Sequence, residues 1–496
     1  MNCENGEWTF RFPQVEGRNG PFEISPREMT LSMERNAYDY ANGEFDTEVG
    51  EMMKPHTRND GGQLRYAQHV QVVQDGDVIS TLYFKPDFVE YGDQATYIEL
   101  HDLQESLDSG IVDIQRYRIT LREAYEYMFD KRTNNLINDI KFTDNISKGV
   151  LGEERATELL GSSTLPPGEL YPENQGSIFY DYAGDFVSTG NRLLHPIKKN
   201  EIEADATKRL VDGFYALDFD QISPAKAIWK LNRMFNIQTW VDNNRTLWVG
   251  VPEAGAIQHI AAPNDNRVWR YKTEGVNIRH PRDPIYGIVV EGSWIDEPGV
   301  GGSEDIISWF DKRDENGFGD VRAEGVAYMP DVDSSRGQML KVKNTTAKRD
   351  SLSAVAQISL IEAMKQQHKG TVPLDPSKSG EFTGPVKSLR VGDALRLIPN
   401  DKFFDSVDEN TGQLGDEPPD EAVECGSFIH NEVYLVSGVT HKVSGSDWTV
   451  NVDVGMFPDF KVDSFVRYFD PRADNPEDAY VTEADVFDGW LTIEDF

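Results

Sequence analysis

Nine histidines are the natural first candidates for proton transfer or metal binding. His56, His195, His280, His430 and His441 lie far apart along the chain, and no pair has the HExxH spacing that brings two rings to one helix face. A lone histidine within a strand pattern, such as His441, reads first as a packed side chain. There is no GxSxG elbow to raise a nucleophilic serine. Gly299-Val300-Gly301-Gly302 lacks the Gly-Lys-Ser/Thr that would cradle a phosphate. Cys3 and Cys425 are too few for a disulfide framework or a zinc cage. Carboxylate pairs mislead here, because 85 acids place two within the roughly 5–10 Å that glycoside hydrolysis uses at many points by chance. Asp331, Asp333 and Ser335 open like a calcium loop, but Gly337 comes one place late and position twelve is Val342, which offers no oxygen ligand. No residue is therefore assigned a catalytic, cofactor-binding or metal-binding role.

The elements that would position any such chemistry read as mainly β with α+β insertions: two small β-barrel-like domains plus a helix–hairpin subdomain. Residues 1–145 form the first barrel-like domain. Within it, 68–73 and 78–84 flank Gln74-Asp75-Gly76-Asp77, and an Asp-Gly between apolar runs is a strong hairpin signal. Strands follow over 97–103 and 111–121, and a helix starts near Thr120 with Leu121, Ala124, Tyr125 and Met128 on one face. Residues 146–218 read as a peripheral insertion. The middle subdomain, 219–295, opens with Ser223 capping a helix that has Pro224 in its first turn and Ile228, Leu231 and Phe235 along one side. Strands 237–241 and 246–249 then turn around Asp242–Arg245, and strands 276–278 and 285–290 return. Residues 296–349 read as loop or linker.

The second barrel-like domain, 350–460, starts with a helix over 350–367 striped by Leu352, Val355, Ile358 and Ile361, with Gly370 beyond its end. Strands follow at 371–374, 386–389, 394–398, 433–443 and 448–454, interrupted by an acidic excursion at 401–424. Alternation puts Leu395, Leu397, Leu435, Val439, Val450 and Val452 inward. Tyr434 and Val436 then fall on the opposite face and are candidates for contact with a neighbouring subunit. Residues 461–496 read as a C-terminal arm.

Composition narrows the function classes. With 49 Lys and Arg against 85 Asp and Glu, the net charge is −36. That excludes general affinity for nucleic acid, whose phosphates demand cations. The acid is spread along the chain rather than gathered in a block, so self-repulsion is relieved chiefly by salt. A protein of a salt-loving organism, or of its virus, is the simplest expectation. Aromatics at 11% argue against wholesale disorder. No apolar run is long enough to span a membrane as a helix, and residues 1–10 lack a basic, apolar secretory signal. The expectation is a soluble protein made in a cytoplasm.

One resemblance adds to this reading. The helix 354–370, the extended 371–374, the loop Leu389-Arg390-Val391-Gly392-Asp393, the run Tyr434-Leu435-Val436-Ser437-Gly438-Val439-Thr440-His441 and the strand 448–454 resemble the C-terminal part of baseplate hub proteins of the late control D type. The span 224–250 resembles their middle subdomain. The resemblance implies a homotrimer with two similar barrels per chain, forming a ring at the distal end of a viral tail. It implies partners in the distal tail protein ring, the tape-measure protein and tip, spike or receptor-binding proteins, with transient passage of DNA. It implies a structural protein of the virion tail rather than an enzyme, and no cofactor. The alternative is a tail-associated hydrolase acting on the host envelope. A third reading, a surface adhesin, needs export.

Overall fold

The computed structural model describes residues 7–13, 21–49, 68–132, 136–142, 195–196, 201–250, 257–263, 269–279, 284–294, 321–330, 337–343, 349–376, 386–397, 433–456, 461–469 and 480–482, less a few one- to three-residue breaks. The protein is mainly β, with a closed six-stranded barrel and few helices. Local chemistry explains the first elements. The hairpin Gln68–Gln74 and Asp77–Phe84 turns through Asp75 and Gly76, both at positive φ (50° and 88°), which that tight turn requires. Helix α1, Leu121–Asp130, starts at a complete capping box: Thr120 accepts from the Glu123 amide, and the Glu123 side chain accepts from the Thr120 amide. The expected residues Leu121, Ala124, Tyr125 and Met128 form its buried side.

The large sheet begins at the Phe22–Ile24 edge and runs through Trp8–Phe12, the 68–84 hairpin, Thr96–His101, Tyr40–Phe45 and Glu28–Glu34 to Val433–Ser444. There it enters the barrel. Val433–Ser444 pairs with Ala394–Leu397, which pairs with Ile257–Ala262, and the ring closes through Trp269–Tyr271, Lys369–Asp375 and Asp447–Met456. The two barrel-like regions are thus one continuous sheet over one core: Phe10, Leu31 and Ile98 belong to the same buried cluster as Trp269, Val372, Leu395 and Val452.

A second core lies among four helices and three further sheets. Helices α1, α2 (Glu201–Asp212), α3 (Pro224–Phe235) and α4 (Arg349–Lys365) share it with the paired strands Val112–Thr120 and Phe214–Ile222. Ser223 caps α3 as expected, accepting from the Lys226 amide. The hairpin after it is held by Asp242, whose Oδ1 accepts from the Asn244 and Thr246 amides and whose Oδ2 accepts from Trp248 Nε1. Helix α4 is buried on nearly every side, as a helix apolar around its circumference must be. Its Leu352 presses on a five-stranded sheet at Gly325, where a Cβ would lie 2.2 Å from the Leu352 carbonyl oxygen.

Several readings from sequence need correction. The span read as linker, 296–349, supplies Val321–Tyr328 and Gln338–Lys343 to that five-stranded sheet, and the arm supplies Asp463–Phe469 and Tyr480–Thr482. The span read as a peripheral insertion contributes α2 and most of Phe214–Ile222, whose Leu210 and Tyr215 are fully buried. Residues 386–389 hold a 3₁₀ turn, Val386–Ser388, not a strand. Two barrel strands come from 257–271, within the span read as the middle subdomain. The acidic excursion 401–424, the would-be calcium ligands Asp331, Asp333 and Ser335, and Cys3 and Cys425 lie outside the described residues.

Candidate functional site at the barrel junction

Val433–Ser444 is the strand on which both barrel-like regions depend. Its first part pairs with Ala394–Leu397 and its second with Glu28–Glu34, while Asp447–Met456 runs along its other side. At the changeover the register with 447–456 slips between Val436 and Gly438, a β-bulge that places one extra residue in the strand. An extra residue flips parity. Tyr434 and Val436 point inward before it, and Val439 and His441 point inward after it; they are 1%, 0%, 0% and 0% exposed. The interface candidates Tyr434 and Val436 are therefore buried in the chain's own core and offer no surface to a neighbour. Leu395, Leu397, Val439, Val450 and Val452 are core residues as expected, but Leu435 belongs with Ala394 and Val433 in a separate small cluster on the other face.

Three buried polar contacts fasten this strand. The Arg35 amide donates to the Ser437 carbonyl at the bulge (2.8 Å). The Arg35 guanidinium donates through both terminal nitrogens to Glu362 of α4, each at 2.7 Å, and Lys365 Nζ reaches the same carboxylate at 3.4 Å. The three side chains are 5% exposed or less. Removing one partner from such a buried pair typically costs about 3–5 kcal/mol, because the other charge is left in a poor dielectric. Second, the loop Leu389–Asp393 docks on the strand by two backbone bonds, Gly392 to Val436 (2.9 Å) and Val436 to Asp393 (2.8 Å). Its Asp393 carboxylate accepts from the Arg390 amide (2.9 Å) and lies 2.9 Å from His259 Nε2, whose ring stacks on Trp269 at 4.4 Å. His259 and Asp393 are both 0% exposed, so this histidine–carboxylate pair ties two barrel strands where no substrate reaches it. Third, His441 lies between Trp8 and Trp448, and Trp448 Nε1 donates to its Nδ1 at 3.4 Å. Burial, and then the Arg390 charge, push the His441 pKa down to about 3, so the ring is neutral.

Beside the bulge is a cleft of about 410 Å³. Arg35, Arg279, Lys365 and Lys369 line it against Glu34 and Asp453, with Arg35 and Lys365 already paired with Glu362. Among the described residues no three His, Cys, Asp or Glu side chains gather as a metal site, and no helix is long and apolar enough to cross a membrane. Sequence reasoning found the 389–393 loop but not the roles of Arg35, Glu362, Lys365 or His259. The available signal was a Glu–Lys pair three residues apart inside an otherwise apolar helix.

No protein-family model matches the chain, and no curated protein matches it. In backbone shape it is similar to a tail protein from Neisseria meningitidis MC58, with TM-score 0.48 and 11% identity over 92% of this chain and 97% of that one. It is similar to the 43 kDa tail protein of prophage MuSo2 from Shewanella oneidensis, with TM-score 0.45 and 10% identity over 91% and 98%. A prophage tail protein from Listeria monocytogenes EGD-e gives TM-score 0.39 and 11% identity over 90% and 94%. Likenesses at this level compare shape alone and carry no weight for function.

Proposed function

We propose that the protein is a structural hub of a viral tail: three copies form a ring that joins the tail tube to the baseplate or tip and lets DNA pass. The observation that carries this reading is the continuous sheet through Val433–Ser444. It joins two barrel-like regions in one sheet while leaving strand edges, such as Phe22–Ile24 and Gln338–Lys343, paired on one side only among the described residues. Free edges invite pairing, and a closed ring of copies buries them. The pattern of residues 351–455 resembles hub proteins, which adds to the same reading. An acidic lumen would let DNA slide, since like charge gives phosphates no partner. The charge of −36 fits assembly in a salt-loving host, an archaeon by this reading. The partners would be the distal tail protein ring, the tape-measure protein and the tip proteins.

Mass photometry and negative-stain electron microscopy of the full chain in molar salt test the proposal. A particle of about three chains with threefold symmetry is expected. A strict monomer, alone and in assembled virions, would overturn it.

A further inference from the structure

From Gln221 to Val241 the chain has three cations and no acid, although acids outnumber cations 85 to 49 overall. The three are Lys226, Lys230 and Arg233 of α3, at i, i+4 and i+7, a spacing that sets them in one row along the helix. The other side of α3, with Ala227, Ile228, Leu231 and Phe235, is buried in the helical core. None of the three cations is in a salt bridge with a described carboxylate. Trp229 lies in the same row and is 44% exposed, with the Arg233 guanidinium 4.7 Å from its ring centre. Beside it opens a cleft of about 570 Å³ that Tyr38, Arg233 and Gln366 also line. Tryptophan, tyrosine and arginine are the residue types that carry most of the energy at protein interfaces.

Helix α1 carries the complementary row. Glu123, Glu126 and Asp130 are exposed at i, i+3 and i+7, so the two rows match at seven residues, roughly 10 Å. The one cation within α1, Arg122, is engaged by Asp212 at 3.0 Å, and Lys131 just beyond it lies over the Tyr127 ring. Alongside the acidic row is a cleft of about 520 Å³ whose lining includes Ile114, Ile119 and Tyr127. Within one chain the two rows cannot meet, because α1 and α3 pack into the same core with both rows turned to solvent.

We infer that α3 of one copy packs against α1 of the next, its cations along the acidic row and Trp229 in the cleft beside that row. Lys230 then falls opposite Glu126 whichever way the helices run, since each is the middle member of its row. Burial of Trp229 supplies affinity, and the charges set the register. The contact joins two different surfaces, so it is head-to-tail and closes into a ring when the rotation permits. It deepens the trimeric reading above and rests on it. Nucleic acid fits the patch less well, because three cations on a chain of net charge −36 give a polyanion little to hold.

Two single-cysteine chains test the contact, each with Cys3 and Cys425 changed to Ser: one with Lys230→Cys, the other with Glu126→Cys. Mixed, assembled in molar salt and treated with a short bismaleimide, they are expected to give a two-chain product that neither gives alone. A product from either variant alone, or none from an assembled mixture, overturns the inference. By mass photometry, Trp229→Ala and Lys230→Glu are each expected to weaken assembly about tenfold or more, and Glu126→Lys to restore what Lys230→Glu loses. That rescue separates a lost contact from a lost fold. Binding of a labelled oligonucleotide that Lys230→Glu abolishes while assembly is unchanged gives the patch to nucleic acid and overturns the inference. A trimer unmoved by these substitutions overturns it too, while leaving the hub reading intact. A full chain that is monomeric throughout overturns the hub reading, and this inference with it.

Discussion

At the scale of single residues, His441 on the junction strand makes stability depend on pH. His441 is fully buried between two tryptophans, and its pKa is pushed down to about 3 by burial first and by Arg390 second. An unfolded chain protonates the same ring near pH 6.5. Between about pH 6.5 and 3 the unfolded state therefore holds a proton that the folded state does not, and stability falls as pH falls through that window. His69, pushed down to about 4 by burial and then by Arg245, acts in the same direction. His441→Phe keeps a ring between the tryptophans and removes the titration. The variant should lose about 2 kcal/mol less stability than the parent between pH 7 and pH 5. Denaturant melts at the two pH values measure this difference, since carboxylate effects are common to both proteins. Identical pH slopes would show that His441 is not the acid-sensitive group.

At the scale of elements, α4 and the sheet beneath it set the tolerance to change. A Cβ at Gly325 would meet backbone, the Leu352 carbonyl, at 2.2 Å, whereas at Gly292 it would meet the end of the Leu352 side chain at 2.6 Å. Backbone cannot step aside as a side-chain methyl can. Gly325→Ala should thus cost about 2–3 kcal/mol and Gly292→Ala less than about 1 kcal/mol, read as midpoint shifts in urea. Equal costs would mean that the helix moves as a rigid unit away from the sheet. These two glycines also show what the sequence could not convey. The hairpin turn at Asp75-Gly76 and the helix cap at Ser223-Pro224 were legible because each acts on residues beside it. Helix α4 was legible as an element, but not its burial on nearly every side. The five-stranded sheet was legible only in its strand at 285–290: Val321–Tyr328, Gln338–Lys343 and Asp463–Phe469 sit in spans read as linker or arm, and Val321–Tyr328 pairs with Asp463–Phe469 from the far end of the chain. The inward set of Val433–Ser444 was half legible: period-two alternation holds on each side of the bulge, but nothing local marks Ser437 as the extra residue. The clamp of Arg35 on Glu362 joins positions 327 apart in sequence, and only the tertiary fold brings them together.

At the scale of the whole molecule, charge is the dominant quantity. Each ion pair acts at one point, while the net charge of −36 acts over the entire surface. At 0.1 M salt the Debye length is about 10 Å, so neighbouring acids on the surface repel one another; at 1 M it is about 3 Å and that repulsion is largely screened. The unfolded chain spreads the same charges farther apart, so low salt penalises the folded state more than the unfolded one. The buried clamp at Arg35, Glu362 and Lys365 is shielded from solvent ions and should not oppose this trend. The melting temperature should therefore climb as KCl is raised from 0.1 to 2 M, most steeply below about 0.5 M where the screening length changes fastest. Assembly should follow the same curve, because bringing three chains of this charge together adds repulsion between copies to repulsion within them. A melting temperature that stays flat, or that rises on dilution of the salt, would remove the physical basis for a salt-adapted protein, whatever the tail reading's fate.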